Sequence, residues 1–563
     1  MTSRGRRPRA SLVVLVPLGL YLLALVIRLL AAAQIPFPTI EPSAYYVNVA
    51  QNLLAGDGLV SDGVWSYATP PLVVPKPAFD LWLPMGSLVP ALAMMVLGST
   101  FWAAQVGGAL LGALVAPLAW AVGREAARTQ RLDARRGGAV AIASGLLAAA
   151  IGPLVLGSVV PDSYTPFVVF VLIGALLVPR VLSVRDGQVL VPAGRPSLVA
   201  GIALGATMGL AYLARQEVIW LGLTVLMMLA WVSRSQPAGR RIRDGLVRVW
   251  PVLVGGLVVV VPWLVRNTLE FGSPFAGQAI ENMFFVRNED VFAFAERPAG
   301  TRYLDQGLLT VLMNPVIAAW DSFVNVIALP AFPVGLAGLV ALVGMRRSPA
   351  LRRPTALLTL LIAGGLTFVS TMLLFPVATL WGTFMHASGP LLVALIVVAA
   401  LGGDALLARI SALRHWEEPN VILAPIALIA VAGVLAFFQL SVVSDQSRDK
   451  EARYAAIARS VEDVATRDGL RVPATIITDH PMWLAEALER NAVALPDEDL
   501  AALAELGRTF DTGWVLVIDE RGRYPEVLSS ADGRACLAGD PIELPAAVEP
   551  AWLFRLGDQC AKR

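Results

Sequence analysis

The side chains best placed to do chemistry in this sequence are a glutamate opening a helix-like stretch, a lysine locked between prolines, and charged groups at the ends of apolar runs. Glu41 stands in "IEPSAYYVNVAQNLLAGDGL", where Pro42 suits the first helical position because its missing N–H costs nothing there, and Gly56 is a natural C-cap. Tyr45, Tyr46, Val49 and Leu53 fall at helical spacing and predict an amphipathic surface helix. In "VPKPAFDLWLP" the prolines hold Lys76 rigid and non-helical, ready for a phosphate, while Asp80 reads as a helix-start acid. Asp162 lies in the short turn "VVPDSYTPF", Arg215 and Glu217 in "GLAYLARQEV", Trp263, Arg266 and Asn267 in "VPWLVRNTLEF", and His386 in "WGTFMHASGPLL". Each has a plainer reading: a solvated loop acid for Glu41, a snorkelling lysine, a turn or N-cap aspartate, interfacial arginines, a structural histidine. Together they suit one chemistry, because a carboxylate can take a proton from a hydroxyl while cations hold a departing phosphate. On that reading Glu41 and Asp162 are the catalytic candidates. Lys76, Arg215, Arg266 and His386 are candidates for phosphate binding, and Tyr45, Tyr46, Glu217 and Trp263 for the substrate pocket.

These residues must be positioned by helices in lipid. The chain of 563 residues is 56% hydrophobic and 15% charged, with mean hydropathy +0.68, which is the composition of a polytopic membrane protein. A net charge of +2 leaves no electrostatic footprint for nucleic acid. Three histidines, His386, His415 and His480, rule out a His-rich metal cluster, and Cys536 with Cys560 allows one bridge at most. Runs long enough to cross the bilayer predict about eleven spans, at 11–33, 101–123, 138–158, 164–182, 197–214, 216–232, 250–266, 321–345, 355–374, 388–408 and 419–441. The first run is too long for a signal peptide and lacks a cleavage site, so its basic leader "MTSRGRRPRA" reads as cytoplasmic. Threaded from there, the other basic segments also fall inside, provided that 84–98 lies at the membrane surface without crossing.

This topology predicts a plasma-membrane protein with an extracytoplasmic C-terminus, two outer loops at about 34–100 and 267–320, and a boundary near 441 between a membrane domain (1–441) and a C-terminal domain (442–563). In that tail "ATIITD" and "WVLVIDE" read as buried strands between helical stretches, a compact α/β module. Two arginines on the outer face, Arg215 and Arg266, run against the positive-inside rule and point to an anionic ligand. Arg28, inside the first span, requires a partner within the bundle.

In their order and common sidedness these motifs resemble the GT-C superfamily of membrane glycosyltransferases, in the branch of protein O-mannosyltransferases, the lipid A aminoarabinose transferase and the bacterial RgtA/B/C/D-like proteins. The likeness spans nearly the whole membrane part. It implies a GT-C-like, all-α polytopic fold with outer juxtamembrane helices, and transfer of a sugar from a polyprenyl-phosphate carrier to an acceptor on the outer face. It also implies that Glu41 occupies the place of the family's acidic pair. Pro42 stands where the second acid would be, so Glu41 is expected to act alone. Lys76 matches the lysine that holds the carrier phosphate in the aminoarabinose transferase, and Asp162 matches an acid in the equivalent turn.

With one well-placed carboxylate, direct attack by the acceptor would invert the anomeric centre. The expected partners are the polyprenyl-phosphate sugar, an acceptor lipid, glycan or protein, and membrane lipids. No cofactor is expected: a divalent ion between Glu41 and Asp162 would find too few carboxylates. The rival readings are a polymerase or ligase of lipid-linked glycan, and a transporter or flippase. The flippase fits less well because the charged candidates gather at the rim and no inverted repeat is visible.

Overall fold

The computed structural model describes residues 10–185, 188–189, 198–234, 236–275, 277–416, 421, 423–519, 524–545 and 550–557. Among these, nine helices are long and apolar enough to cross a membrane: Val14–Ala32, Phe101–Thr129, Tyr164–Val181, Gln216–Ser233, Ala238–Phe271, Leu308–Ala328, Ala356–Leu374, Gly389–Leu413 and Leu423–Arg467. The pair Ala134–Ala150 and Gly152–Val159, bent by 50° at its break, makes a tenth if it is counted as one span. The chain is thus a multi-pass membrane protein, and the expected eleven spans change at two places. Of the run expected at 197–214, the described residues give the 15-residue helix Leu198–Tyr212, which by itself, at about 1.5 Å per residue, is shorter than the hydrocarbon core. The apolar run 321–345 is not one helix. A span covering Leu308–Ala328 takes up its first residues, and the separate helix Val334–Gly344 follows beyond Pro330 and Pro333, so the second long loop ends earlier than expected. Met85–Leu97, at 13 residues, is too short to cross.

The bend after Ala150 explains Arg28. Its fully buried guanidinium donates to Ser158 Oγ (3.1 Å) and to the carbonyls of Ala24 (3.2 Å), Ala149 (3.3 Å) and Leu154 (3.1 Å). Carbonyls at the end of the upstream helix carry partial negative charge, so the break itself supplies the partner.

At one end of the bundle lies a six-stranded sheet. Its strand order is Gly63–Val64, Asn491–Ala494, Thr475–Thr478, Trp514–Val517, Ala551–Arg555, Ile542–Leu544, with the first four parallel and the last two antiparallel. Helices Pro481–Leu488 and Leu500–Thr509 pack on it, giving the α/β module read from the tail. The first strand comes from the first long loop, with Gly63 opposite Ala492 and Val64 opposite Val493. Leu423–Arg467 runs unbroken through the boundary expected near 441. Cys536 is buried and disulfide-bonded, and Cys560 lies outside the described residues.

The helix Glu41–Ala55 starts and ends as its sequence predicts, with Pro42 in the first turn and Gly56 left-handed at φ 99°. It is not a surface helix. Ala44, Tyr45 and Val49 share a core with Tyr454, Ile457 and Trp483 of the C-terminal region, while Val47 and Ala50 pack on Ala91, Met94, Ala103 and Ala104. Cover on both faces accounts for the Tyr-, Val- and Ala-rich run.

Candidate active site

The first loop folds back on its helix through polar side chains. Asn48 Nδ2 donates to Asp62 Oδ2 (2.7 Å), Asn48 Oδ1 accepts from Asp62 N (3.0 Å), and Val60–Ser61 pairs antiparallel with Lys76–Pro77. The Phe79 N–H donates to the Tyr45 hydroxyl at 2.6 Å. This brings Tyr45, Ser61, Trp65, Lys76, Asp80 and Trp82 around a small, partly open cleft. Lys76 is 3% exposed, and its ammonium donates to the Ser66 carbonyl (2.8 Å) and to Asp80 Oδ2 (2.5 Å). An ammonium has three N–H groups, so one donor is left for a ligand. Asp80 is therefore the counter-ion of Lys76 and not a helix-start acid, since the next helix begins at Met85. The walls are aromatic, with ring centroids 4.6 Å apart for Tyr45–Trp82 and 5.1 Å for Trp65–Trp82.

Arg266 closes the same region from the end of its span. It donates to the carbonyls of Ala78 (2.8 Å) and Leu59 (3.4 Å) and lies over the rings of Trp263 (5.1 Å) and Phe271 (5.0 Å). Among the described residues no carboxylate lies within ion-pair distance of it. Trp263 touches Phe79, which touches Tyr45, so Lys76, Arg266, Trp263 and Tyr45 belong to one constellation.

A second cluster gathers Asp162, Arg215, Glu217, His386 and Tyr46. His386 Nδ1 pairs with Asp162, and Arg215 pairs with Glu217 at 2.6 Å. Ser163 bridges the two pairs: its hydroxyl donates to Asp162 (3.1 Å) and accepts from Arg215 (3.1 Å). Burial pushes the Asp162 carboxyl up, but His386 and Arg215 together hold it below its ordinary range. Arg215 is raised, since the Glu217 carboxylate outweighs its burial. Burial, and then the Asp162 charge, raise the Tyr46 phenol. Tyr45 and Tyr46, 5.7 Å apart, join this cluster to the cleft. Arg215 and His386 each already face a carboxylate.

Glu41 stands elsewhere. It is 4% exposed, with Oε2 3.5 Å from His480 Nδ1 and Oε1 buried without a hydrogen-bond partner. His480 Nε2 meets Asp519 at 2.6 Å, and Asp519 meets Arg453 at 2.7 Å. Burial works against charge on the imidazole, yet Glu41 and Asp519 raise His480 to about 9, so it is an imidazolium at neutral pH. Asp519 is held far below the usual carboxylate range, chiefly by its bond to His480. Among the described residues no hydrogen bond or ion pair joins Glu41 to Lys76, Arg215 or Arg266. The reason is local: Glu41 begins its helix on the side covered by the C-terminal domain.

Sequence reasoning missed Asp80, Trp65, Trp82 and the His480–Asp519 pair. The last had a signal, because Asp479 and His480 follow the parallel strand Thr475–Thr478 at its carboxyl end, where α/β sheets place functional groups. Among the described residues no group of three or more His, Cys, Asp or Glu side chains is placed to hold a metal ion.

No protein-family model matches the chain, and no curated protein matches it in sequence. Solved structures are similar in fold. The crystal structure of ArnT from Cupriavidus metallidurans bound to undecaprenyl phosphate is 14% identical with TM-score 0.55, over 97% of this chain and 98% of that one. Its apo form is 15% identical with TM-score 0.53, over the same shares. The Archaeoglobus fulgidus oligosaccharyltransferase in complex with Zn and sulfate is 11% identical with TM-score 0.52, over 94% of this chain and 71% of that one. The fold is GT-C-like over nearly the full length.

Proposed function

We propose that this chain is a membrane glycosyltransferase that moves a sugar from a polyprenyl-phosphate donor to an acceptor hydroxyl at the outer face of the plasma membrane. One observation carries the reading: a buried lysine with a spare donor sits in an aromatic cleft at the end of a helical bundle, in a fold shared with a protein crystallised on undecaprenyl phosphate. Lys76 takes the phosphate. Arg266, which has no carboxylate within ion-pair distance among the described residues, adds the second positive charge, and Tyr45, Trp65 and Trp82 flank the sugar. Arg215 and His386 each already face a carboxylate, so we assign the Asp162–His386–Arg215–Glu217 cluster to holding Tyr46 beside the cleft and not to phosphate binding.

The reaction is a single displacement with inversion. The acceptor oxygen bonds to the anomeric carbon as the bond to phosphate oxygen breaks, and a carboxylate of the first loop receives the hydroxyl proton. That loop holds two buried candidates, Glu41 and Asp80. The test is donor use. Membranes containing the protein should release polyprenyl phosphate from a polyprenyl-phosphate sugar, with inverted product, and Lys76→Met should abolish release at normal expression. Movement of intact lipid-linked sugar across the membrane, without release, would refute the transferase in favour of a flippase.

A further inference from the structure

Asp80 sits 2.5 Å from Lys76 in the cleft itself and is 9% exposed. A buried ammonium requires a counter-charge, and in the empty cleft Asp80 provides it. A phosphate that binds Lys76 competes with that carboxylate, since two anions crowded on one ammonium repel each other. Glu41 faces His480 instead and lies outside the cleft lining.

We propose that Asp80 is a further catalytic residue, a carboxylate that holds Lys76 until the donor phosphate displaces it and then accepts the proton of the acceptor hydroxyl. This rests on the polyprenyl-phosphate reading above. In the step, the acceptor oxygen forms its bond to the anomeric carbon while the carbon–oxygen bond to phosphate breaks. The electron pair leaves with polyprenyl phosphate, held by Lys76 and Arg266, and the hydroxyl proton goes to Asp80. When the phosphate departs, Asp80 gives its proton to water and returns to Lys76, so the site resets with its charge balanced.

The test uses the full-length protein and undecaprenyl phosphate as the probe, with turnover followed in parallel by donor release. Asp80→Asn, which removes the competing anion, should bind undecaprenyl phosphate about tenfold tighter or more, while turnover falls by about 10²- to 10⁴-fold. Lys76→Met should not bind it. Should Asp80→Asn fail to fold, Asp80→Glu keeps the counter-charge and moves the carboxylate by one methylene. Its turnover should drop at least about tenfold with binding retained. Wild-type turnover in either variant, or binding by Asp80→Asn no tighter than wild type, overturns the role of Asp80. A wild-type protein that does not bind undecaprenyl phosphate at all overturns the donor reading and this inference together, whereas binding that only Lys76→Met abolishes, with Asp80→Asn unchanged, spares the first and removes the second.

Discussion

At the scale of single residues, charge balance decides the roles. His480 is enclosed by Glu41, Asp479, Asp519 and the Trp483 ring, with Arg453 beyond Asp519 and Lys450 over that ring. Because its folded value, about 9, lies above its ordinary 6.5, the stability it contributes is complete below about pH 6 and is lost as pH rises through 9. Asp519 works in the opposite sense: its contribution is present above its ordinary range and fades as acid protonates it. Thermal midpoints of the wild type should therefore fall between pH 7 and 10, and His480→Gln should flatten that slope at a cost on the order of 3 kcal/mol at neutral pH. An equal slope in the variant would assign the alkaline loss to other groups. At this scale Lys76 was legible because flanking prolines announce a fixed backbone, whereas Asp80 and His480 were not, since their partners are brought to them only by folding. With no metal-binding cluster expected, we also predict that donor release continues in excess EDTA, and loss restored by added divalent ion would contradict the carboxylate-and-cation mechanism.

Elements set where those residues stand, and two of them are held by close contacts. Arg28 spreads a planar fork over Ser158 and three carbonyls at the bent helix pair, a geometry that one ammonium does not reproduce. Arg28→Lys should lower the thermal midpoint by several degrees, corresponding to about 1–3 kcal/mol for unsatisfied buried acceptors. An unchanged midpoint would show that the bend is fixed by other contacts. Gly86 abuts the Tyr46 ring, where an added Cβ would come within 2.4 Å of Cε1. Gly86→Ala should thus shift Tyr46 and slow turnover several-fold while leaving undecaprenyl phosphate binding intact. Loss of binding instead would mean that the displacement reaches the Lys76 cleft. Element type was readable wherever one apolar stretch ended in charge, as at Tyr164–Val181. It failed at 321–345, where hydropathy continues through Pro330 and Pro333 although a helical hydrogen-bond ladder does not. For Glu41–Ala55 the helix was readable but its burial was not, because a moderately apolar helix covered on both sides looks in sequence like one lying on a surface.

Across the whole molecule, the C-terminal region and the first loop are built into one sheet. The strand Gly63–Val64 pairs with Asn491–Ala494, and Glu498 accepts from the backbone N–H groups of Phe294, Ala295 and Glu296 in the second loop. The α/β character of the tail could be read from its own strands, but a two-residue strand donated from some 430 positions earlier leaves no periodic trace. A chain ending at residue 441 should therefore lose undecaprenyl phosphate binding as well as transfer, although it retains Lys76 and Arg266. Retained binding would show that the cleft stands without its sheet.

The helix Leu423–Arg467 has 45 residues, about 67 Å of continuous rod. A strut of that length has no joint at the waterline, so the direction of the span is carried without a break into the helix that packs on Trp483 and the C-terminal sheet. On the transferase reading proposed above, a long-tailed donor would reach Lys76 with its chain still dissolved in the bilayer.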